Sequence, residues 1–149
     1  GDILLWDFTA HAEPGKPMMP VKHIQSSSLY SLAASPEGTH FVTGHGLRSG
    51  NLNLWSIEEG AIVSSFEGPR EPVYSCCYSP EGASVVAGGK SGRMCLYDVL
   101  SEKPTRDWKG HGNVVQSVSF RSDSSSVLCS ASRDGTVGVF DTRRSRDCA

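Results

Sequence analysis

The feature that most constrains this chain of 149 residues is an internal repeat. Four segments share a glycine, alternating apolar positions, an aromatic residue and then Asp or Ser: GDILLWD, GNLNLWS, GRMCLYD and GTVGVFD. Their aromatic residues are Trp6, Trp55, Tyr97 and Phe140, spaced 49, 42 and 43 residues apart. A second series, in which a polar turn begins at Ser35, Ser79 and Arg121, has spacings of 44 and 42 residues. Two independent markers with a common period indicate a repeat architecture.

Each repeat contains four short strands, which we call a, b, c and d. In the repeat at 68–109, apolar alternation and turn residues predict strands at 73–79, 83–88, 93–99 and near Thr105–Trp108. A four-stranded meander of this size cannot bury both of its faces alone, so it must pack against other copies. We therefore predict an all-β chain of four-stranded antiparallel sheets. The predicted units are strands c and d of a partial repeat at 1–25, and then repeats at 26–67, 68–109 and 110–149.

These features resemble the WD40-repeat family. The matching residues are Gly110-His111 before strand a of the last repeat, the Asp134-Gly135 turn between its strands b and c, and the closing pairs Trp6-Asp7, Tyr97-Asp98 and Phe140-Asp141. The resemblance implies a β-propeller in which each repeat is one blade, with about three and a half blades of a seven-bladed ring present. We expect the chain to be a segment of a longer propeller. The alternative is that the open edges of the segment itself pair with other copies and complete a ring by self-association.

The resemblance also implies a buried hydrogen-bonded set in each blade. Its members are a His before strand a, a hydroxyl on strand b, the Asp of the b–c turn and the Trp of strand c. In the last blade His111, Ser130 and Asp134 fill three of these positions, with Ser132 as an alternative to Ser130. Phe140 replaces the Trp, and because Phe has no N–H, we expect the chain of bonds to end at the serine.

The other blades depart from this pattern. They carry Ser27 and Pro69 near the position of the His, and Ser49 and Ser91 in place of the Asp. We therefore expect these blades to depend more on packing than on buried polar networks. His45 lies in the stretch HGLRSG, a b–c turn two residues longer than its counterparts, and it is predicted to be a solvated loop residue.

The rim that carries the d–a connections and the b–c turns, called the top rim below, is the predicted binding surface. When the repeats are aligned, one position near the start of strand a is occupied by Tyr30, Tyr74 and Gln116. The residues two positions earlier are Ser28, Pro72 and Val114. The position before the b–c turn residue is basic, as Arg48, Lys90 and Arg133. Because Tyr and Arg dominate interface energetics, we predict that this rim binds an acidic or phosphorylated peptide. The alternative is that exposed turns favour any polar residue and the basic series is coincidental.

Composition argues against several functions. A net charge of −2 and a pI of about 6.2 disfavour a general nucleic-acid binder. No apolar run reaches the ~18 residues of a membrane span. The five cysteines lack zinc-ligand spacing and are expected to be reduced thiols of a cytoplasmic and/or nuclear protein. The stretch GGKSG at 88–92 lacks the first glycine of a phosphate-binding loop. We expect no cofactor, no metal and no catalysis.

The predicted function is a non-catalytic scaffold in a multi-subunit complex, with peptides or helical-repeat subunits as partners. Six segments are similar to the propeller subunit of the superkiller and polymerase-associated-factor complexes, which implies a link to RNA decay or transcription. They are AASPEGTHFVTG, GNLNLWSIEEG, YSPEGASVVAGG, LYDV, GHGNVVQSVSF and VGVFDTRRSRDC. The alternative is a propeller that recognises a modified peptide, a nucleic acid or a ubiquitin-ligase substrate.

Two further segments leave alternatives open. The loop 11–20 contains Met18 and Met19, and it is either a partner contact or a mobile insertion. The basic cluster 143–146 is either a nucleic-acid contact or nuclear signal, or a solvated turn.

Overall fold

A computed structural model of the chain describes residues 2–6, 20–25, 28–46, 52–67 and 71–144. These residues form thirteen strands in four sheets, and every strand pairing is antiparallel. The predicted all-β fold of four-stranded antiparallel blades is therefore confirmed. In the part of the chain that the structure describes, no helix has the length and apolar character needed to cross a membrane.

The four sheets, which we call blades 1 to 4, follow one another along the chain. Blade 1 pairs β1 (Asp2–Leu5) with β2 (Lys22–Gln25). Blade 2 consists of β3 (Leu29–Ala34), β4 (His40–His45), β5 (Leu52–Ser56) and β6 (Ile62–Ser65). Blade 3 consists of β7 (Val73–Tyr78), β8 (Ser84–Gly89), β9 (Arg93–Asp98) and β10 (Pro104–Lys109). Blade 4 consists of β11 (Val115–Arg121), β12 (Ser124–Ser132) and β13 (Val137–Asp141).

Each blade is a meander, because consecutive strands pair with each other. The strand d predicted for the last repeat falls partly outside the described residues, and residues 142–144 form no strand. The loop segment 11–19, with Met18 and Met19, also lies outside them, and so do Ser27, Ser49 and Pro69. Of the basic cluster 143–146, the structure describes residues 143 and 144.

The turns between strands a and b share one local structure. In blade 3 the Gly82 N–H donates to the Ser79 carbonyl at 2.9 Å, and the Ser79 hydroxyl accepts the Ser84 N–H at 3.0 Å. Gly82 has a φ of 76°, which glycine adopts readily because it has no Cβ. Ser35 and Gly38 form the same turn in blade 2. These turns fix the register of strands a and b, and with it the geometry of the top rim at their other end.

The core lies between successive blades. Leu54 and Phe66 of blade 2 pack against Val85 and Tyr97 of blade 3, and the Phe66 and Tyr97 rings meet edge to face at 5.5 Å between centroids. Similar apolar clusters join blade 1 to blade 2 and blade 3 to blade 4. Since burial of apolar surface contributes about 25 cal/mol per Å², each blade is stabilised largely by its neighbours.

Apolar side chains are exposed in the first two blades and in the last one. Leu4 of blade 1 and Leu32 of blade 2 are 43% and 52% exposed, and Val137 and Val139 of blade 4 are 74% and 61% exposed. Side chains alternate between the faces of a strand, so Phe140, which follows Val139, packs inward against blade 3.

Candidate functional site

The top rim is built by one main-chain hydrogen bond that recurs in each of blades 2 to 4. The N–H of the residue after strand b donates to the carbonyl just before strand a. The bonds are Gly46 to Ser28 at 3.3 Å, Lys90 to Pro72 at 3.2 Å and Arg133 to Val114 at 3.0 Å. They bring the d–a connections and the b–c turns to the same end of the blades.

Strand a has a β-bulge at an equivalent residue in all three blades. The register with strand b shifts between Leu29 and Ser31, between Val73 and Ser75, and between Val115 and Ser117. The residues at these shifts are Tyr30, Tyr74 and Gln116, which sequence alignment also makes equivalent. A bulge redirects its side chain out of the regular alternation and is common beside functional sites.

The structure brings two of these residues together. The Tyr30 and Tyr74 rings, from neighbouring blades, stack with centroids 4.7 Å apart and an angle of 11° between planes. Tyr30 is 48% exposed, so the stack forms part of the surface. Gln116 and the basic residues Lys90 and Arg133 are also exposed.

The strand register assigns the basic series differently from the sequence alignment. Gly46 takes the position of Lys90 and Arg133, because it makes the same bond to the residue before strand a. Arg48, which alignment from the turn placed there, is two residues further on and lies outside the described residues. Gly46 lies under the Tyr30 ring, since an added Cβ would be 3.1 Å from the Tyr30 hydroxyl oxygen. Blade 2 therefore presents the tyrosine ring where blades 3 and 4 present a basic residue.

Behind the rim, blade 4 contains the predicted set of polar residues. His111 Nε2 lies 2.6 Å from Ser130 Oγ, and its Nδ1 lies 3.0 Å from Thr136 Oγ1 and 3.3 Å from Asp134 Oδ2. Ser132, the alternative to Ser130, instead donates its hydroxyl to the Asn113 carbonyl at 3.1 Å. The Phe140 ring packs edge to face against the His111 ring, with centroids 6.0 Å apart, and offers no N–H to continue the bonds.

Asp134 connects this buried set to the top rim. Its carboxylate accepts the Thr136 hydroxyl at 2.6 Å, the Gly112 N–H at 2.7 Å and the Thr136 N–H at 2.9 Å. These hydrogen bonds, with the nearby His111, hold the pKa of Asp134 well below its usual range. The b–c turn of blade 4 is thereby tied to the d–a connection.

Blade 2 contains a buried polar network that sequence reasoning missed. His45 is not a solvated loop residue: it ends β4 and is only 2% exposed. Its Nε2 lies 2.7 Å from Thr43 Oγ1, and Thr43 Oγ1 accepts the Trp55 indole N–H at 2.7 Å. Blade 2 thus has a buried polar network although it carries no His before strand a, because strand b supplies the imidazole that the d–a connection supplies in blade 4.

The neighbours of His45 Nε2 favour the unprotonated form of this nitrogen. Thr43 accepts from Trp55, so its own O–H is available to donate to His45 Nε2, and the Asn53 amide lies 3.3 Å from the same nitrogen. The ring is therefore neutral, and burial lowers the pKa of His45 despite a hydrogen bond to the Ser28 backbone. Two signals in the sequence pointed here: Thr43 and His45 alternate onto one face of a strand, and a buried Trp requires a partner for its N–H.

Blade 3 uses neither arrangement. The position of Thr43 and Ser130 is occupied by Ala87, and the aromatic of strand c is Tyr97. The b–c turn is instead bonded to Glu71, whose carboxylate accepts the Ser91 N–H and the Ser91 hydroxyl, each at 2.8 Å. The Ser91 donors of the GGKSG stretch, which could otherwise face a phosphate, thus already hold a carboxylate of the chain itself.

Other reactive groups do not form a second site in the described ranges. Within them, no three His, Cys, Asp or Glu side chains converge in a way that could hold a metal ion. Burial raises the pKa of both Cys76 and Cys95 to about 11, so these thiols stay protonated at neutral pH.

The family model "WD domain, G-beta repeat" matches residues 16–56, 60–98 and 102–141, which is well over half of the sequence. The chain therefore belongs to the WD40-repeat family. Proteins of this family are generally non-catalytic interaction scaffolds, and their WD40 domains generally bind other proteins.

Three curated relatives illustrate the range of similar proteins. Protein ROOT INITIATION DEFECTIVE 3 of Arabidopsis thaliana is 35% identical over 97 residues, covering 64% of this chain and 22% of the relative. The serine-threonine kinase receptor-associated protein of Bos taurus is 30% identical over 141 residues, covering 94% and 37%. Meiotic recombination protein rec14 of Schizosaccharomyces pombe is 30% identical over 103 residues, covering 68% and 31%. The chain thus spans less than half the length of each of these relatives.

Proposed function

We propose that this chain acts as a non-catalytic adaptor in a multi-subunit complex, and that its top rim binds an acidic or phosphorylated segment of a partner. The observation that carries the proposal is the exposed Tyr30–Tyr74 stack, set on two β-bulges, on the same rim as Lys90 and Arg133. The family's general role in protein binding supports it. Stacked rings give rigid contact area at a low entropic cost, which suits a binding surface.

The rim carries two cations, Lys90 and Arg133, beside two carboxylates, Glu71 and Asp134, whose oxygens already accept hydrogen bonds from the rim itself. Among the described residues, neither Lys90 nor Arg133 forms an ion pair, whereas Arg93 and Arg143 are paired with Asp107 and Asp141. The two rim cations are therefore available to a ligand. Both residues directly follow strand b at the same register, so they occupy equivalent positions in two successive blades.

Charge reversal tests this proposal. Lys90→Glu with Arg133→Glu should reduce capture of partners from native extract roughly fivefold or more, because two attractive contacts become repulsive. Lys103→Glu, an exposed residue at the c–d turn of blade 3, is the matched control and should capture normally. Phosphatase treatment of the extract separates the two ligand types, since only a phosphorylated partner would be lost. Undiminished capture by the double variant would reject the rim as the contact.

The similarity of several segments to the propeller subunit of the superkiller and polymerase-associated-factor complexes favours a place in RNA decay or transcription, in the cytoplasm and/or the nucleus. The relative rec14 is named for meiotic recombination, so similar propellers are not confined to one process. Affinity purification of the full-length protein tests this narrower proposal. Recovery of helicase and helical-repeat subunits would support it, whereas recovery of ubiquitin-ligase subunits would favour the alternative function.

A further inference from the structure

We infer that Glu71 is the positioning residue of the top rim in blade 3: it holds the Lys90–Gly92 turn in place from the d–a connection. Its effect on ligand binding rests on the proposed function of the rim, but its effect on the turn does not. The residue belongs to no motif of the repeat, and its sequence position alone does not single it out.

The carboxylate of Glu71 accepts two hydrogen bonds from one residue of the turn. Oε2 accepts the Ser91 N–H and Oε1 accepts the Ser91 hydroxyl, each at 2.8 Å. The pair fixes the main chain of the turn as well as its side chain. Hydrogen bonds to an ionised acceptor are stronger than those between neutral groups. The backbone N–H of Lys90, one residue earlier, donates to the Pro72 carbonyl at 3.2 Å.

The space that the Glu71 side chain occupies is opened by a glycine. Glu71 lies across Gly89, and a Cβ added at Gly89 would overlap the Glu71 carboxylate. At the same register, blade 2 has His45 and blade 4 has Ser132. The lack of a side chain at Gly89 is therefore what allows Glu71 to reach Ser91.

In blade 4 the corresponding carboxylate comes from the opposite side. There Asp134, in the b–c turn, accepts the Gly112 N–H of the d–a connection at 2.7 Å. In blade 3 the d–a connection supplies the carboxylate and the turn supplies the donors. The turns themselves match, since the glycines that follow Ser91 and Asp134 have φ values of 87° and 84°.

The turn that Glu71 holds is also bonded to the next blade. The carbonyl of Gly92 accepts the N–H groups of Gly110 at 3.2 Å and His111 at 3.1 Å. His111 in turn bonds to Ser130 and lies near Asp134. Glu71 therefore stands at one end of a hydrogen-bonded path along the top rim that joins both blades carrying the exposed cations.

Blades 3 and 4 supply the carboxylate from opposite sides of the same contact, so a double-mutant cycle that moves it from one side to the other tests the inference. Glu71→Ala should lower the melting temperature of the full chain by about 3 °C and speed amide exchange at Ser91 about tenfold, because the turn loses its acceptor. Ser91→Asp should also lower the melting temperature, because it sets a second carboxylate beside Glu71. The double variant should recover at least half of the loss in melting temperature, because Ser91→Asp then supplies the carboxylate from the turn, as Asp134 does. Amide exchange at residue 91 should stay fast in the double variant, because the Asp134 N–H of blade 4 is accepted by the Ser132 hydroxyl and blade 3 has Gly89 at that position.

Two controls complete the experiment. Glu81→Ala, in the a–b turn at the other end of blade 3, should change neither the melting temperature nor exchange at Ser91. If Glu71→Ala does not fold, Glu71→Gln keeps one acceptor and should show a smaller effect of the same sign. Unchanged exchange in Glu71→Ala and Glu71→Gln, or a double variant as unstable as the sum of the single variants, would overturn the inference. Because no ligand enters these measurements, they are independent of partner capture by the rim.

Discussion

Blades 2 and 4 bury the same pair of groups, an imidazole and a hydroxyl, but they bring the imidazole in from different elements. In blade 4 His111 comes from the d–a connection and meets Ser130 at 2.6 Å. In blade 2 His45 comes from the end of strand b and meets Thr43, at the position of Ser130, at 2.7 Å. Both blades therefore place an imidazole against a hydroxyl behind the rim, although the histidine comes from a different element in each.

The two networks differ in how far they continue. In blade 2 the Trp55 indole donates to Thr43, so one hydroxyl serves two buried partners. In blade 4 Phe140 cannot donate, and the network turns outward to Asp134 and the top rim. A buried donor or acceptor without a partner costs about 1–3 kcal/mol. Loss of the shared hydroxyl should therefore have a larger effect in blade 2 than in blade 4.

The largest expected effect is that of Thr43→Val. This change keeps the volume of the side chain but leaves the Trp55 N–H and His45 Nε2 without their hydroxyl partner, so it should cost about 3 kcal/mol of unfolding free energy. Urea denaturation measures the difference. Thr39→Val, at an exposed position before strand b, is the control and should cost less than about 0.5 kcal/mol. A cost for Thr43→Val as small as the control would show that the network contributes nothing.

Ser130→Ala is the matching change in blade 4, and its expected effect is about half as large. Only His111 Nε2 loses a partner, since Phe140 has no polar group, so the cost should be about 1.5 kcal/mol. The same urea measurement applies. Equal costs for Ser130→Ala and Thr43→Val would contradict the view that the two networks differ by the contribution of Trp55.

Much of the fold could be predicted from the sequence because its signals are local and repeated. The network of blade 4 was expected only from the resemblance to the WD40 family. The strands needed no such resemblance, since apolar alternation located β7, β8 and β9 to within a residue or two at each end. This alternation depends on the chemistry of neighbours in the chain. The repeat then carried the same reasoning from one blade to the next.

The residues that substitute for family residues are harder to predict in this way: Glu71 has no local signal, and the signals for His45 are only its alternation with Thr43 and the need of Trp55 for a partner. His45 and Glu71 lie at positions to which the repeat pattern assigns no functional side chain. His45 replaces the missing His before strand a of blade 2, and Glu71 replaces the missing Asp of the b–c turn of blade 3. Such compensation depends on distances across the blade rather than on spacing along the chain. The HGLRSG turn is two residues longer than its counterparts, so sequence alignment made Arg48 equivalent to Lys90 and Arg133. The strand register shows that Gly46 is the equivalent residue.

The smallest expected effect is a dependence of blade 2 on pH. Burial lowers the pKa of His45 below the ordinary value of 6.5, so the unfolded chain binds its proton more readily than the folded one. The stabilisation should be complete above about pH 6.5 and should be lost progressively as the pH falls below it. Protonation would also turn Nε2 into a donor that faces the amide N–H₂ group of Asn53, which has no lone pair to accept the bond. Asp134 stays ionised between pH 7 and pH 5 because its pKa is lowered, so titration of that carboxylate does not add to the pH dependence of stability in this range.

Urea denaturation at pH 7 and pH 5 measures how the free energy of unfolding changes with pH. The variant His45→Gln, which retains His23 and His40, should reduce this change. Identical pH dependence in the two proteins would place the acid sensitivity in a group other than His45.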